Sequence, residues 1–255
     1  MCGIAGRLNY ISGAPADEGT LRGMCRLLAH RGPDGEGTLV EGPLGLGHRR
    51  LSIIDLSDAG RQPMRYAGGN LSIVFNGEIY NFLSLRDRLE REGYRFCSRT
   101  DTEVVLAAYD AWGIEALQQF RGMFAFALWD ARRRRLLLAR DRVGKKPLYY
   151  FLDRDGIAFA SESKAFLADS RFVPRPNLEA IFHYLSYQYV PTPLSGFEGV
   201  RKLPPAHYLL VEDGKVQQIT VGQRSALKLA EGIALGAAED QVRQWFGGFG
   251  EEPHK

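Results

Sequence analysis

Cys2-Gly3-Ile4, running on into Ala5-Gly6-Arg7-Leu8-Asn9-Tyr10, stands directly behind Met1. Loss of Met1 makes Cys2 the N-terminal residue and puts a thiol and a free α-amine on one amino acid. The thiolate is the nucleophilic form of cysteine, and a free thiol titrates near ~8.5. The α-amine titrates near ~7.7–8.0, close enough to neutrality to take up the thiol proton. A nucleophile that carries its own base needs no separate histidine. The same triplet also suits a small buried cysteine at a strand start, and its residues alone leave both readings open. Gly3 to Tyr10 reads as a strand with small residues where another backbone can approach closely.

The wider composition narrows the class. The chain has 255 residues and a formal net charge of +3, with Lys and Arg mixed among Asp and Glu. That length suits one large domain or one and a half and can bury a sizeable core. The dense basic run Arg132-Arg133-Arg134-Arg135 falls at an expected hairpin turn, so a solvated turn is preferred to a nucleic-acid patch. No apolar run approaches ~20 residues, so no membrane span is expected. The start carries no charged segment followed by an apolar stretch, so no secretory signal is expected. Cys2, Cys25 and Cys97 show neither metal-ligand spacing nor a disulfide framework, which fits a reducing, cytoplasmic setting.

Outward from the first strand, residues 17–29 predict an amphipathic helix with Leu21, Met24, Leu27 and Leu28 on one face. His30-Arg31-Gly32-Pro33-Asp34 is a polar turn. Strands are expected at 37–40 and 44–48, and Arg50-Leu51-Ser52-Ile53-Ile54-Asp55 as another with a charge at each end. Taken locally, Arg50 is a solvated strand end; its planar fork would also suit a substrate carboxylate. Met64–Tyr66 and Leu71–Phe75 around Gly68-Gly69-Asn70 predict a hairpin. Asn76-Gly77 is either a turn or a side-chain amide and bare backbone N–H aimed at a developing oxyanion. Asn81 is expected to cap a helix over 82–92, and Asp101 opens the next one as a cap or first-turn acid. A long hairpin follows over 122–140, then strands at 149–150 and 157–160, a helix over 177–188, and closing strands up to Thr220. Antiparallel strands with clustered helices predict an α+β fold of packed layers. Residues 221–255 read as a partly helical tail, Gly-rich at its end and no second domain.

Six segments in order carry a resemblance: Cys2-Gly3-Ile4, His30-Arg31-Gly32-Pro33-Asp34, Arg50-Leu51-Ser52-Ile53, Asn76-Gly77-Glu78-Ile79-Tyr80-Asn81, Thr100-Asp101-Thr102-Glu103 and Arg140-Asp141-Arg142-Val143-Gly144. Together they resemble the N-terminal glutaminase domain of glutamine-hydrolysing asparagine synthetases, a class II glutamine amidotransferase of the N-terminal-nucleophile fold. The resemblance runs over residues 2–220. It implies a four-layer αββα sandwich, with two antiparallel sheets between helical layers. It also implies that Cys2 attacks the side-chain amide of glutamine while Asn76 and Gly77 stabilise the oxyanion. Arg50, with Leu51, Ser52 and Ile53, would take the glutamine α-carboxylate, and Glu78 and Asp101 its α-ammonium. No metal and no cofactor are implied for this step.

The departure from the family is equally informative. Its members adenylate aspartate in a larger second domain, with ATP and Mg, through a Ser-Gly-Gly-x-Asp-Ser pyrophosphate loop. These 255 residues contain no such run; Leu194-Ser195-Gly196-Phe197 lacks the second glycine and the Asp-Ser. The expectation is therefore glutaminase activity without the synthetase step, in a truncated product, a shifted reading frame or one half of a split enzyme. Glutamine, a separate synthetase domain or chain, and a second copy in a homodimer are the partners this reading admits. A glutaminase serving another acceptor and a non-catalytic regulatory or assembly domain are the alternatives. Intact mass separates the last of these: the catalytic reading expects Met1 to be absent, and Met1 retained on most molecules removes the proposed base.

Overall fold

The computed structural model describes residues 1–53, 55 and 57–221. The reading of the tail, apart from Val221, lies outside them. Alternation along two neighbouring strands sorts their side chains into two cores. In β6 (Gly122–Asp130), Phe124, Phe126 and Leu128 enter one core, while Ala125, Ala127 and Trp129 enter another. In β7 (Arg135–Arg140), Leu137 and Ala139 join the first, and Leu136 and Leu138 the second. A strand with period-2 side chains and no polar face must lie between two apolar layers.

Those strands belong to a six-stranded antiparallel sheet of order β12-β11-β7-β6-β5-β4, completed by β4 (Met64–Tyr66), β5 (Leu71–Ile79), β11 (His207–Glu212) and β12 (Lys215–Thr220). The second sheet has the order β10-β8-β9-β1-β3-β2 and is also antiparallel. It contains β1 (Gly3–Leu8), β2 (Gly35–Glu41), β3 (Leu44–Arg50), β8 (Tyr149–Leu152), β9 (Ile157–Ala160) and β10 (Val200–Lys202). Ile4, Leu8, Leu44 and Leu46 of this sheet meet Val74, Ala125 and Leu138 of the other to form the central core.

Helices close both outer faces. α1 (Glu18–Leu27) is capped by Asp17, which accepts from Thr20 N, and its Met24 packs on Ala5, Ala158 and Phe166. On the other side, α2 (Phe82–Arg91) buries Leu85 and Leu89. α3 (Asp101–Trp112) buries every residue from Asp101 to Tyr109, and both helices join the core of Phe124 and Phe126. A short α4 (Ala116–Gln119) leads into β6. α5 (Leu178–Tyr187) is capped by Asn177, as its sequence predicts. The architecture is the expected α+β sandwich, helix–sheet–sheet–helix.

The structure corrects three local readings. The segment after Arg50 is not a strand. Asp34 N donates to Arg50 O at 3.0 Å and the Asp34 carboxylate accepts from Ser52 N at 2.8 Å, so this one residue takes the backbone groups a ladder would need. Asn76-Gly77 is not a turn but lies inside β5, paired with Ala125 and Phe124. Asn81 does not cap α2 with its side chain; its amide donates to Gln119 O and accepts from Arg121 N instead. At the β6–β7 turn, Arg132 pairs with Asp110 and Arg135 with Glu212, so the protein's own carboxylates meet the basic run.

Gly6 shows why the first strand carries small residues. A Cβ there would stand 2.2 Å from the Phe159 ring and 2.6 Å from Gly45 O. Gly6→Ala is expected to lower unfolding stability by about 2–3 kcal/mol, because backbone cannot yield as a side chain can. Gly196→Ala, where nothing lies within 4 Å of the added atom, should stay within about 0.5 kcal/mol of wild type. Chemical denaturation of the two variants makes the comparison.

Candidate active site

The start of β1, the end of β3 with its loop, the second half of β5 and the first turn of α3 enclose a cleft of about 260 Å³. Cys2, Arg50, Leu51, Ser52, Ile53, Asn76, Gly77, Glu78 and Asp101 all line it. So do Met1, Gln62, Met123 and Lys146, among others. The segments that the sequence separates by up to a hundred residues are thus brought to one place.

Cys2 precedes the first ladder pair of β1, Gly3 with Arg49, so other groups must hold it. Arg31 does so, its Nε donating to Cys2 O at 2.9 Å. Glu162 holds Arg31 at 2.8 Å and also meets His30 at 2.9 Å and Lys164 at 3.3 Å. Burial alone would raise the Glu162 carboxyl, but hydrogen bonds from Arg31, His30 and Lys164 bring it down to about 2. It therefore stays ionised at any ordinary pH. The Cys2 sulfur accepts from Leu51 N at 3.4 Å. Burial, the largest influence, leaves the thiol above its ordinary range, and the Leu51 N–H, the Met1 terminal amine, Arg50 and Lys146 only partly offset it.

β5 presents the amide groups. The β4 ladder ends at the Met64–Ile73 pair, and beyond it the Gln62 side chain substitutes for a strand, accepting from Phe75 N at 2.6 Å. Across the sandwich, His48 of β3 meets Phe75 O through Nε2 at 3.2 Å; a carbonyl only accepts, so this nitrogen carries the proton. Burial drives the His48 pKa down to about 4, so the ring is neutral. Phe75 is thereby held on both backbone groups, one residue before Asn76. Asn76 is 1% exposed, and its Nδ2 has no hydrogen-bond partner among the described residues. Leaving such a donor unpaired costs about 1–3 kcal/mol, which marks it as a group kept for something that arrives. Gly77 must be glycine: a Cβ would lie 2.4 Å from Met123 O.

The charged ends of the cleft differ in character. Asp101 is 4% exposed and accepts from Ile79 N at 2.9 Å. Burial raises its pKa to about 6 against the pull of the Ile79 and Thr102 N–H groups, and the nearby Glu78 charge adds to the rise. Arg50 donates to Ser57 O at 3.0 Å and to Asp55 O, and has no ion pair within 4 Å among the described residues. Arg49, its neighbour, is turned to Glu36 at 2.7 Å and Gly32 O at 3.1 Å and does not line the cleft.

Sequence reasoning quoted Arg31 within a motif without giving it a task, and overlooked Gln62, His48, Lys146 and Glu162. Only Arg31 left a sequence signal; the others are defined by contacts between distant strands. Leu194-Ser195-Gly196-Phe197 offers no nucleotide loop: Ser195 is 1% exposed and its hydroxyl bonds Phe197 O at 3.0 Å and Phe197 N at 3.2 Å. The ATP and Mg of the family's second domain thus find no seat in that turn. Among the described residues no helix is long and apolar enough to cross a membrane.

The raised pKa of Asp101 has a sign that can be tested. Folding holds this proton more tightly than the unfolded chain does, so stability is greatest at low pH and is lost as pH rises through about 6. Asp101→Asn removes the ionisation. It is expected to be more stable than wild type above neutrality, by up to about 2–3 kcal/mol, and so to unfold at higher temperature there, with the gap closing in acid. A gap independent of pH in thermal scans would show that the carboxylate is not strained.

Comparison with known proteins accords with this geometry. A family model described as a glutamine amidotransferase domain matches residues 1–221. "Asparagine synthetase [glutamine-hydrolyzing] 1" of Bacillus subtilis is 39% identical over 219 residues, covering 85% of this chain and 34% of that protein. A "Putative asparagine synthetase [glutamine-hydrolyzing]" of Mycobacterium tuberculosis is 42% identical over 221 residues, covering 80% and 34%. The chain therefore spans about a third of the length of these relatives. In fold, the glutamine phosphoribosylpyrophosphate amidotransferase of Bacillus subtilis superposes with a TM-score of 0.64 at 20% identity, over 86% of this chain and 49% of that one. A cysteine at the start of a central strand, a cleft built from β5 and α3, and a family match over the whole described sandwich lead to one conclusion: the chain belongs to the class II glutamine amidotransferase domain family.

Proposed function

We propose that the cleft hydrolyses the side-chain amide of glutamine to glutamate and ammonia through a thioester on Cys2, once Met1 has been removed. The observation that carries this reading is the buried, unpartnered Asn76 amide in the same cleft as the Cys2 thiol. The α-amine of Cys2 takes the thiol proton, and the sulfur attacks the amide carbon. The oxyanion that forms is received by Asn76 Nδ2 and the Gly77 N–H; one such donor is worth roughly 3–4 kcal/mol. The C–N bond breaks, the amine returns its proton to the leaving nitrogen, and ammonia departs. Water then attacks the thioester, giving glutamate and restoring the thiol. All these steps use groups of this chain and need no cofactor.

Glutamine brings one group of each sign besides its amide. Arg50 is the cation for its α-carboxylate, with Leu51, Ser52 and Ile53 lining that end of the cleft. Glu78 and Asp101 are the anions for its α-ammonium. The names of the relatives suggest that the ammonia is used to make asparagine. We propose the same destination here, with the ATP-dependent conversion of aspartate carried out by a synthetase domain or chain outside these residues.

The test is an assay of purified protein for glutamate, pyrophosphate and asparagine together. Glutamate release without ATP is expected, with no asparagine and no pyrophosphate, even when ammonia is supplied. Pyrophosphate release dependent on aspartate would reveal a nucleotide site within the chain. Cys2→Ala should abolish glutamate release. Substituting Cys25, which burial pushes up to about 12, or the exposed Cys97 should leave it largely intact. Wild-type turnover by Cys2→Ala would mean the nucleophile is misassigned.

Removal of either charged clamp, by Arg50→Ala or Asp101→Asn, should raise KM for glutamine, since each leaves one end of the substrate unpaired. Arg49→Ala, which loses only Glu36 and Gly32, should do much less. KM should also rise as pH falls through about 6, because protonation of Asp101 neutralises one partner of the substrate ammonium. Equal damage at Arg49 and Arg50, or a flat KM profile in acid, would count against this placement of the substrate.

A further inference from the structure

We propose that Lys146 is a positive charge placed in the cleft to stabilise the Cys2 thiolate as it forms; the proposal rests on the reading of Cys2 as the nucleophile. Lys146 is 6% exposed and lines the same cleft as Cys2. Among the described residues its ammonium makes no hydrogen bond and no ion pair within 4 Å. An unpaired ammonium whose side chain is largely withdrawn from water favours an anion beside it.

The chain goes to some length to put it there. Asp141, fully buried, accepts from Phe124 N at 3.3 Å, Val143 N at 3.1 Å, Lys145 N at 2.9 Å and Lys146 N at 2.9 Å. Arg140 donates to Lys146 O at 2.8 Å and Gly144 O at 2.7 Å, and also holds Leu203 O. Two buried charged residues thus engage both the N–H and the C=O of Lys146. The same loop also ties down its neighbours, Arg142 donating to Phe120 O and to Gln118 O at 2.9 Å and Asp141 O accepting from Ala206 N at 2.9 Å; its contribution to the cleft is the Lys146 side chain.

Of the other cations near the sulfur, Arg31 is paired with Glu162, and Arg50, which keeps its charge while donating to the carbonyls of Ser57 and Asp55, is the group assigned above to the substrate carboxylate. Before the transfer the neutral α-amine offers no charge; once it has taken the thiol proton, its ammonium acts together with that of Lys146. Around Lys146 itself, burial and Arg31 lower the ammonium pKa, while Cys2, Asp141 and Glu78 raise it. Ionisation of Cys2 therefore strengthens the charge that stabilises it, which is the reciprocity required of a coupled pair.

The test is the pH dependence of Cys2 alkylation by iodoacetamide, followed by mass spectrometry of the N-terminal peptide in the full chain. No glutamine is present, so the result is independent of turnover. In Lys146→Met and Lys146→Gln the midpoint is expected to move to higher pH by about one unit, and the rate near neutrality to fall about tenfold. Lys146→Arg should restore most of both. Circular dichroism checks folding, and the Gln variant carries the comparison if the Met variant does not fold. Midpoints of the Met and Gln variants equal to wild type, or an Arg variant shifted as far as Met, would overturn the proposal. A wild type that fails to hydrolyse glutamine, yet shows the Lys146-dependent midpoint, would count against the glutaminase reading and support this one.

Discussion

The hydrogen bond from Arg31 to the carbonyl of Cys2 is the contact on which the cleft depends. Cys2 lies outside the β1 ladder, which begins one residue too late to hold it. Backbone order here costs on the order of 1–2 kcal/mol per residue, so something outside the strand must supply it. Arg31 does, and Glu162 in turn keeps Arg31 in place from the far end of β9. Because Glu162 remains charged down to about 2, the anchor does not loosen over the ordinary pH range.

The two-sheet sandwich does the rest through contacts between layers. His48 belongs to one sheet and Phe75 to the other, and their bond sets the height of β5 against β3. With Gln62 on the opposite backbone group, Phe75 cannot slide, and a slip of one residue would turn Asn76 away from the cleft. Stability is given up locally for this arrangement. The orphaned Asn76 amide, the strained Asp101 carboxylate and the unpaired Lys146 ammonium would each be better satisfied elsewhere. Their gathering in one cleft is the pattern expected where a site is shaped for a ligand rather than for itself.

Much of the fold could be read from residue pattern. The hairpins at 64–75 and 122–140, the helix after Asp17, the helix capped by Asn177, and the close approach of backbone at the first strand follow from local chemistry. The errors are also local in origin. Arg50 to Asp55 has strand-forming residues, but Asp34 takes the backbone groups that a neighbour would have used. Asn76-Gly77 has the composition of a turn, yet β6 pairs with it along its length. Asn81 has the right identity and position for a cap, but its amide bridges to Gln119 and Arg121.

The sequence by itself determined the α+β class and the order of the elements, because alternation and caps act within a few residues. Through six ordered motifs it also pointed to nine of the residues that line the cleft. Tertiary structure alone decided how those residues are held and charged. The neutrality of His48, the raised pKa of Asp101 and the place of Lys146 in the same cleft as Cys2 arise from burial and from partners on other strands. Burial and long-range partners have no period along the chain, so no stretch of it announces them.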